Sequence, residues 1–182
     1  MQEFAQWSLD AIREESGSLS WLEESRFLWT TSTSQALGQL LDAKTIILIT
    51  DEKREWFGQY MIEHINSSRV ERPLIAVVKI ESFFPHFCSV VQKSTLDALE
   101  NMLDLAFKGE YFFFYVGKGD DRRAEIAKRR DSSYMWLFDE EYLNAFSLKS
   151  YDKELDIKLL QLFRLLDRSI DATIYGEVEL GS

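Results

Sequence analysis

Thr45-Ile46-Ile47-Leu48-Ile49-Thr50 is an uninterrupted run dominated by β-branched side chains, with no polar residue inside it. A short run of this kind reads as a strand covered on both faces, and such strands belong inside a parallel sheet with helices above and below. Tyr111 to Val116 repeats the pattern, and Tyr134 to Phe138 and Ala145 to Leu148 read as further strands. Parallel neighbours need long crossovers, and the intervening sequence is helical in period. After Thr50, Asp51 is placed to cap a helix in which Trp56, Phe57, Tyr60, Met61 and Ile65 recur at three- and four-residue spacing, until Asn66-Ser67-Ser68 closes it. Pro73 opens a second buried strand, Leu74 to Ile80. Ser94 to Asp97 reads as the next cap, and Leu96, Leu99, Leu103 and Phe107 continue a helix to Lys108-Gly109.

Two helices precede the first strand. One is expected from about Glu3 to Glu14. The other starts at Ser20, where Ser20-Trp21-Leu22-Glu23 has the S-x-x-E form of a capping box, and carries Leu22, Trp29, Ala36 and Leu40 to about Leu41. Asp121 to Arg130 reads as a short charged helix. The last helix is the plainest, with Leu155, Leu159, Leu162, Leu166, Ile170 and Ile174 forming one stripe. The pattern predicts an α/β chain, a parallel sheet sandwiched between helices with right-handed crossovers. No repeat or linker divides residues 1–180, which are read as one domain, and the closing Gly181-Ser182 is given no role.

Composition narrows the function. At 46% hydrophobic and 14% aromatic the chain can bury a sizeable core, while a formal charge of −10 disfavours a general affinity for nucleic acid or anionic membranes. Glu3 and Asp10 near the start, and apolar runs far short of the roughly 20 residues a span needs, point to a cytoplasmic protein without a membrane segment. Cys88 is the single cysteine, so no intrachain disulfide is expected.

Catalytic signals are weak. In an open α/β sheet the ligand crevice lies beyond the carboxyl ends of the strands. There Thr50-Asp51-Glu52-Lys53-Arg54 sets two carboxylates where a phosphate cradle needs glycines and small hydroxyl residues. Val116-Gly117-Lys118-Gly119 lacks the rest of a nucleotide loop, since Asp120 and Asp121 stand where Ser or Thr is wanted. His86 and Cys88, with His64 on another helix, fall short of a four-ligand zinc site, so neither metal nor cofactor is expected. The basic island Arg122, Arg123, Lys128, Arg129 and Arg130 reads as a solvated face, or as a surface for an acidic patch on a protein partner. Trp7, Trp21 and Trp29 lie outside the sheet strands. They either pack on their own chain or anchor an oligomer through the first two helices.

Several stretches, taken in order, resemble the HobA family of initiator-associating proteins. They are Trp21-Leu22-Glu23, Arg54-Glu55-Trp56-Phe57, Glu71-Arg72-Pro73-Leu74, Val116-Gly117-Lys118, Tyr134 to Glu140, Leu159 to Leu165, and the ending Ile174-Tyr175 through Val178-Glu179-Leu180. The resemblance implies a homotetramer with a modified sugar-isomerase (SIS-like) fold that binds the N-terminal domain of the replication initiator DnaA and gathers initiators at the origin. A degenerate sugar-phosphate isomerase or phosphosugar-binding protein is the alternative. The stretch Ser169 to Tyr175 is also similar to the end of the last helix in the initiator-binding protein DiaA. That likeness implies a DnaA contact at Asp171, Ile174 and Tyr175, against the plain reading in which Ile174 and Tyr175 close the helix core.

Overall fold

The computed structural model describes residues 1–15, 17–67, 71–87 and 93–181. Its centre is a five-stranded, wholly parallel sheet built from β2 (Thr45–Thr50), β3 (Val77–Lys79), β4 (Tyr111–Lys118), β5 (Tyr134–Phe138) and β6 (Ala145–Leu148), in spatial order β3-β2-β4-β5-β6. The chain leaves β2 for β3 on one side and then returns to β4 on the other, so the order reverses between β2 and β4. A second sheet joins only β1 (Gln2–Glu3) and β7 (Val178–Glu179), in parallel, fastening the two ends of the domain to each other.

The helices are α1 (Phe4–Glu14), α2 (Arg26–Leu41), α3 (Glu55–Ile65), α4 (Lys93–Phe107), α5 (Ala124–Lys128) and α6 (Leu155–Ile174). Side chains alternate across a strand, so each apolar run feeds two cores. Ile46, Leu48, Phe112, Phe114, Val116, Trp136 and Phe146 join the residues of α1, α2, α3 and α6. Ile47, Ile49, Phe113, Tyr115, Met135 and Leu137 meet α4 and α5 on the opposite face. Double-sided burial is what the unbroken runs in β2 and β4 specified.

Four local expectations need correction. The capping box at Ser20 does not form: Ser20–Leu22 is a turn of 3-10 helix, α2 starts at Arg26, and Glu23 turns instead to Arg13 at 2.7 Å. The strand expected over Leu74–Ile80 shrinks to Val77–Lys79, half-buried, because β3 is the sheet edge and pairs only with β2. The helix expected over Asp121–Arg130 holds only Ala124–Lys128. Finally, α4 already includes Lys93, so Ser94 lies within its first turn and does not precede it. Cys88, considered as a metal ligand from the sequence, lies outside the described residues.

Candidate functional site

The crevice at the carboxyl ends of β2 and β4 is occupied by the chain's own side chains. Asp51 ends β2 and is 3% exposed. One of its oxygens accepts from the Arg54 amide at 3.0 Å, capping the 3-10 turn Glu52–Arg54 that leads into α3. Its other oxygen accepts from the Lys118 amide at 2.8 Å and faces the Arg54 guanidinium at 3.3 Å. The backbone N–H groups that would cradle an anion are thus already satisfied by a carboxylate. Gly117 permits this close approach, since a Cβ there would lie 2.8 Å from Asp51 and 2.7 Å from the Tyr115 hydroxyl. Arg123, buried, donates to the Thr50 carbonyl at 3.1 Å and approaches Glu55 at 3.6 Å. Burial, helped by Asp121 and Asp51 nearby, drives the Tyr115 hydroxyl far above the ordinary phenol range, so it stays protonated and donates to the Lys118 carbonyl.

The basic island is only in part the solvated face expected of it, because most of its charges are paired within the chain. Lys128 donates to Glu140 and to the Gly119 carbonyl, Arg129 pairs with Asp97 and Glu100, and Arg130 with Glu100 and Asp104. The Arg129 and Arg130 pairs bind the end of α5 to α4 and the Lys128 pair binds α5 to the stretch after β5, while Arg122 and Arg129 stay exposed. Among the described residues, no group of three or more His, Cys, Asp or Glu side chains converges as metal ligands.

At the opposite end of the sheet the end of α6 meets the end of α2. Ile174 packs half-buried against the core and, with Leu40, Leu41, Pro73, Leu74 and Ile75, lines an open apolar groove of about 360 Å³. Leu74 is 82% exposed and Tyr175 55%, so Tyr175 is not a core residue. Asp171, partly exposed, turns toward Arg72 instead. Arg72, its side chain fully buried, reaches Asp171 and Asp167 at 2.5 Å each and donates to the Ile65 carbonyl at 2.7 Å. Burial opposes the Arg72 charge, but hydrogen bonds to Asp171 and Asp167 more than offset it and raise its pKa above the ordinary value. The clasp ties the end of α3 and the stretch before Pro73 to α6. Of the three residues singled out at this helix end, Ile174 and Tyr175 reach a surface and Asp171 orients it. Leu41 had no part in that reading, and Arg72 and Leu74 entered it only within a stretch that resembles the HobA family.

The tryptophans divide differently from expectation. Trp29 is wholly inside its own chain, 5.8 Å from Trp136 and 5.9 Å from Phe146 between ring centroids, so it has no surface to offer another copy. Trp7 stacks on Phe4, and Trp21 donates from its ring nitrogen to Gln161 at 2.9 Å with Lys158 above the ring. Both remain half-buried. Phe27 and Leu28, at the start of α2, are apolar side chains left outward near these rings.

A family model described as HobA, DNA replication regulator, matches residues 1–180. The chain belongs to the HobA family. The DNA replication regulator protein HobA of Helicobacter pylori is 27% identical over 189 residues, which cover 99% of this chain and 100% of that protein. A crystal structure of a HobA–DnaA (domain I-II) complex from Helicobacter pylori matches with a TM-score of 0.76 at 26% identity, covering 98% of this chain and 99% of that one. A crystal structure of HobA from the same organism gives 0.74 at 25% identity, with the same coverage. The α/β architecture read from the sequence and the HobA resemblance therefore both hold, over nearly the full length of each chain. Among the described residues, no helix is long and apolar enough to cross a membrane.

Proposed function

We propose that this chain is a non-enzymatic adaptor that binds the N-terminal domain of DnaA and promotes assembly of the initiator at the chromosomal origin, as a cytoplasmic homotetramer without direct contact to nucleic acid. The observation that carries the reading is the match along essentially the whole chain to a HobA solved with DnaA domains I-II. The crevice where an α/β enzyme would bind its substrate supports it from the other side, since Asp51 has taken up the backbone donors there. The proposed DnaA contact is the surface around Ile174 and Tyr175, enlarged by Leu41 and Leu74, with Asp171 held by Arg72 as a positioning residue. Exposed aromatic and aliphatic side chains around a groove are what an interface needs at its centre.

The test is titration calorimetry of the purified chain with the cognate DnaA N-terminal domain. Saturable binding is expected, and failure to bind at tens of micromolar would refute the adaptor reading. The phosphosugar alternative has its own readout. Millimolar sugar phosphates are expected to leave the melting temperature unchanged, whereas a ligand at about 100 times its Kd would add about 2.7 kcal/mol.

A further inference from the structure

A polar groove of about 390 Å³ opens beside the filled crevice, between the start of α3, the end of β4 and the start of α6. Its charged lining is Lys53, Arg54, Lys118 and Lys153 against Asp152 and Asp156, a cationic excess in a chain whose net charge is −10. Several of these charges are already satisfied. Arg54 is held by Asp51, Asp152 pairs with Lys158 at 2.5 Å, and Lys118 lies 3.9 Å from Asp139. Lys53 and Lys153 are exposed and have no ion pair among the described residues, with only Asp156 left to balance them. Trp56, 40% exposed, forms part of the same wall.

From this arrangement we infer that the groove is a docking site for an acidic peptide segment of a protein partner. The occupant follows from the distribution of donors. A compact phosphate is recognised by converging backbone N–H groups, and here the amides of Arg54 and Lys118 are closed off by Asp51. What remains are long, flexible ammonium groups spread along an open groove beside an aromatic face. Such a surface suits carboxylates spaced along an extended chain, with an apolar side chain against the ring. A nucleic-acid duplex spreads its charge over a surface far wider than this groove, so most of it would lie against the acidic remainder of the molecule, whereas a short peptide can keep its carboxylates within the groove. The inference is independent of the DnaA reading, because the groove lies at the opposite end of the sheet from Tyr175.

The experiment uses the full chain and a fluorescein-labelled twelve-residue peptide of alternating Glu and Asp around one central Leu, read by anisotropy at low and moderate salt. Saturable binding that weakens with salt is expected, with no binding of the Gln/Asn counterpart. Lys53→Glu with Lys153→Glu is expected to weaken it roughly tenfold or more, while Lys108→Glu with Arg122→Glu, of equal net charge, has little effect. Thermal melts of both double variants check that they are folded. No binding by the acidic peptide, equal loss in both double variants, or displacement by millimolar inorganic phosphate or by a DNA oligonucleotide in preference to unlabelled peptide would each overturn the proposal.

Discussion

The Arg72 guanidinium answers two carboxylates of α6 and the last carbonyl of α3 at once, with no side-chain surface left to water. Removing it would leave the Ile65 carbonyl without this donor and two like charges one helical turn apart. Arg72→Leu is therefore expected to cost about 2 kcal/mol, less than a fully buried pair because both aspartates are partly solvated. For a domain of this size that is a fall of roughly 6 °C in melting temperature, read by circular dichroism. Tyr175 makes the opposite case. At 55% exposure it contributes little to the fold, so Tyr175→Ala is expected to leave the melting temperature nearly unchanged and to weaken DnaA binding by about thirtyfold, on the order of 2 kcal/mol, if its ring is a central anchor. A folded Tyr175→Ala variant with wild-type affinity would remove this residue from the contact and leave the adaptor function standing. Gly117 tests the filled crevice. A Cβ placed 2.7–2.8 Å from Tyr115 and Asp51 forces one of them to move, so Gly117→Ala is expected to destabilise the domain by at least about 1–3 kcal/mol through overpacking.

At the scale of elements, partly exposed carboxylates tie neighbouring elements together, Asp152 at the start of α6 and Asp104 from the last turn of α4 to β4 and the stretch after α5, and set the acid response. Asp152 is held below the ordinary carboxylate range by its bond to Lys158 and by the Glu154 amide, and Asp104 by Arg130 and the Tyr111 hydroxyl. A folded-state pKa below the unfolded one stabilises the fold above the unfolded value, and that contribution is lost as pH falls through the folded value. Melting temperature is expected to be flat from pH 7 to 5 and to drop below about pH 4. In Asp104→Asn with Asp152→Asn the value should be lower at neutral pH, the acid slope shallower, and the two curves should converge at the acid end. None of these partnerships was legible in the sequence, because a carboxylate six or more positions from its cation leaves no periodic trace. What was legible was burial. The continuous runs of β2 and β4 announced double-sided strands, and the stripe from Leu155 to Ile174 announced α6. The same logic misread Leu74 to Ile80, because an apolar run does not reveal that β3 stands at an edge, where Leu74 turns outward. Ser20 failed as a cap for a related reason: the motif was present, but Glu23 had a better partner in Arg13. The two-residue strands β1 and β7 are too short to leave any pattern.

For the whole molecule, the charge of −10 limits where two copies can meet, since acidic surfaces repel and a face without charge can be brought together at low cost. From Phe27 to Leu41, α2 contains no charged residue at all. It buries Trp29, Thr33, Ala36 and Leu37 in its own core while Phe27, Leu28, Thr31, Gln35 and Leu41 look outward. A helix that is uncharged on its solvent side as well as its core side, in a chain where 29% of residues are charged, is the natural seat for the proposed self-association. The sequence pointed to this region through its tryptophans, and the proposed contact rests on Phe27 and Leu28 rather than on Trp29, because ring burial in the monomer was invisible to a count of aromatics. Multi-angle light scattering of the wild-type chain at micromolar concentration is expected to report close to four chains. Phe27→Glu with Leu28→Glu should place charge on both sides of any contact formed there and reduce that number, while leaving the monomer folded because both side chains already face water. A wild-type monomer would end the tetramer proposal, and an unchanged tetramer in the double variant would move the contact away from the first turn of α2.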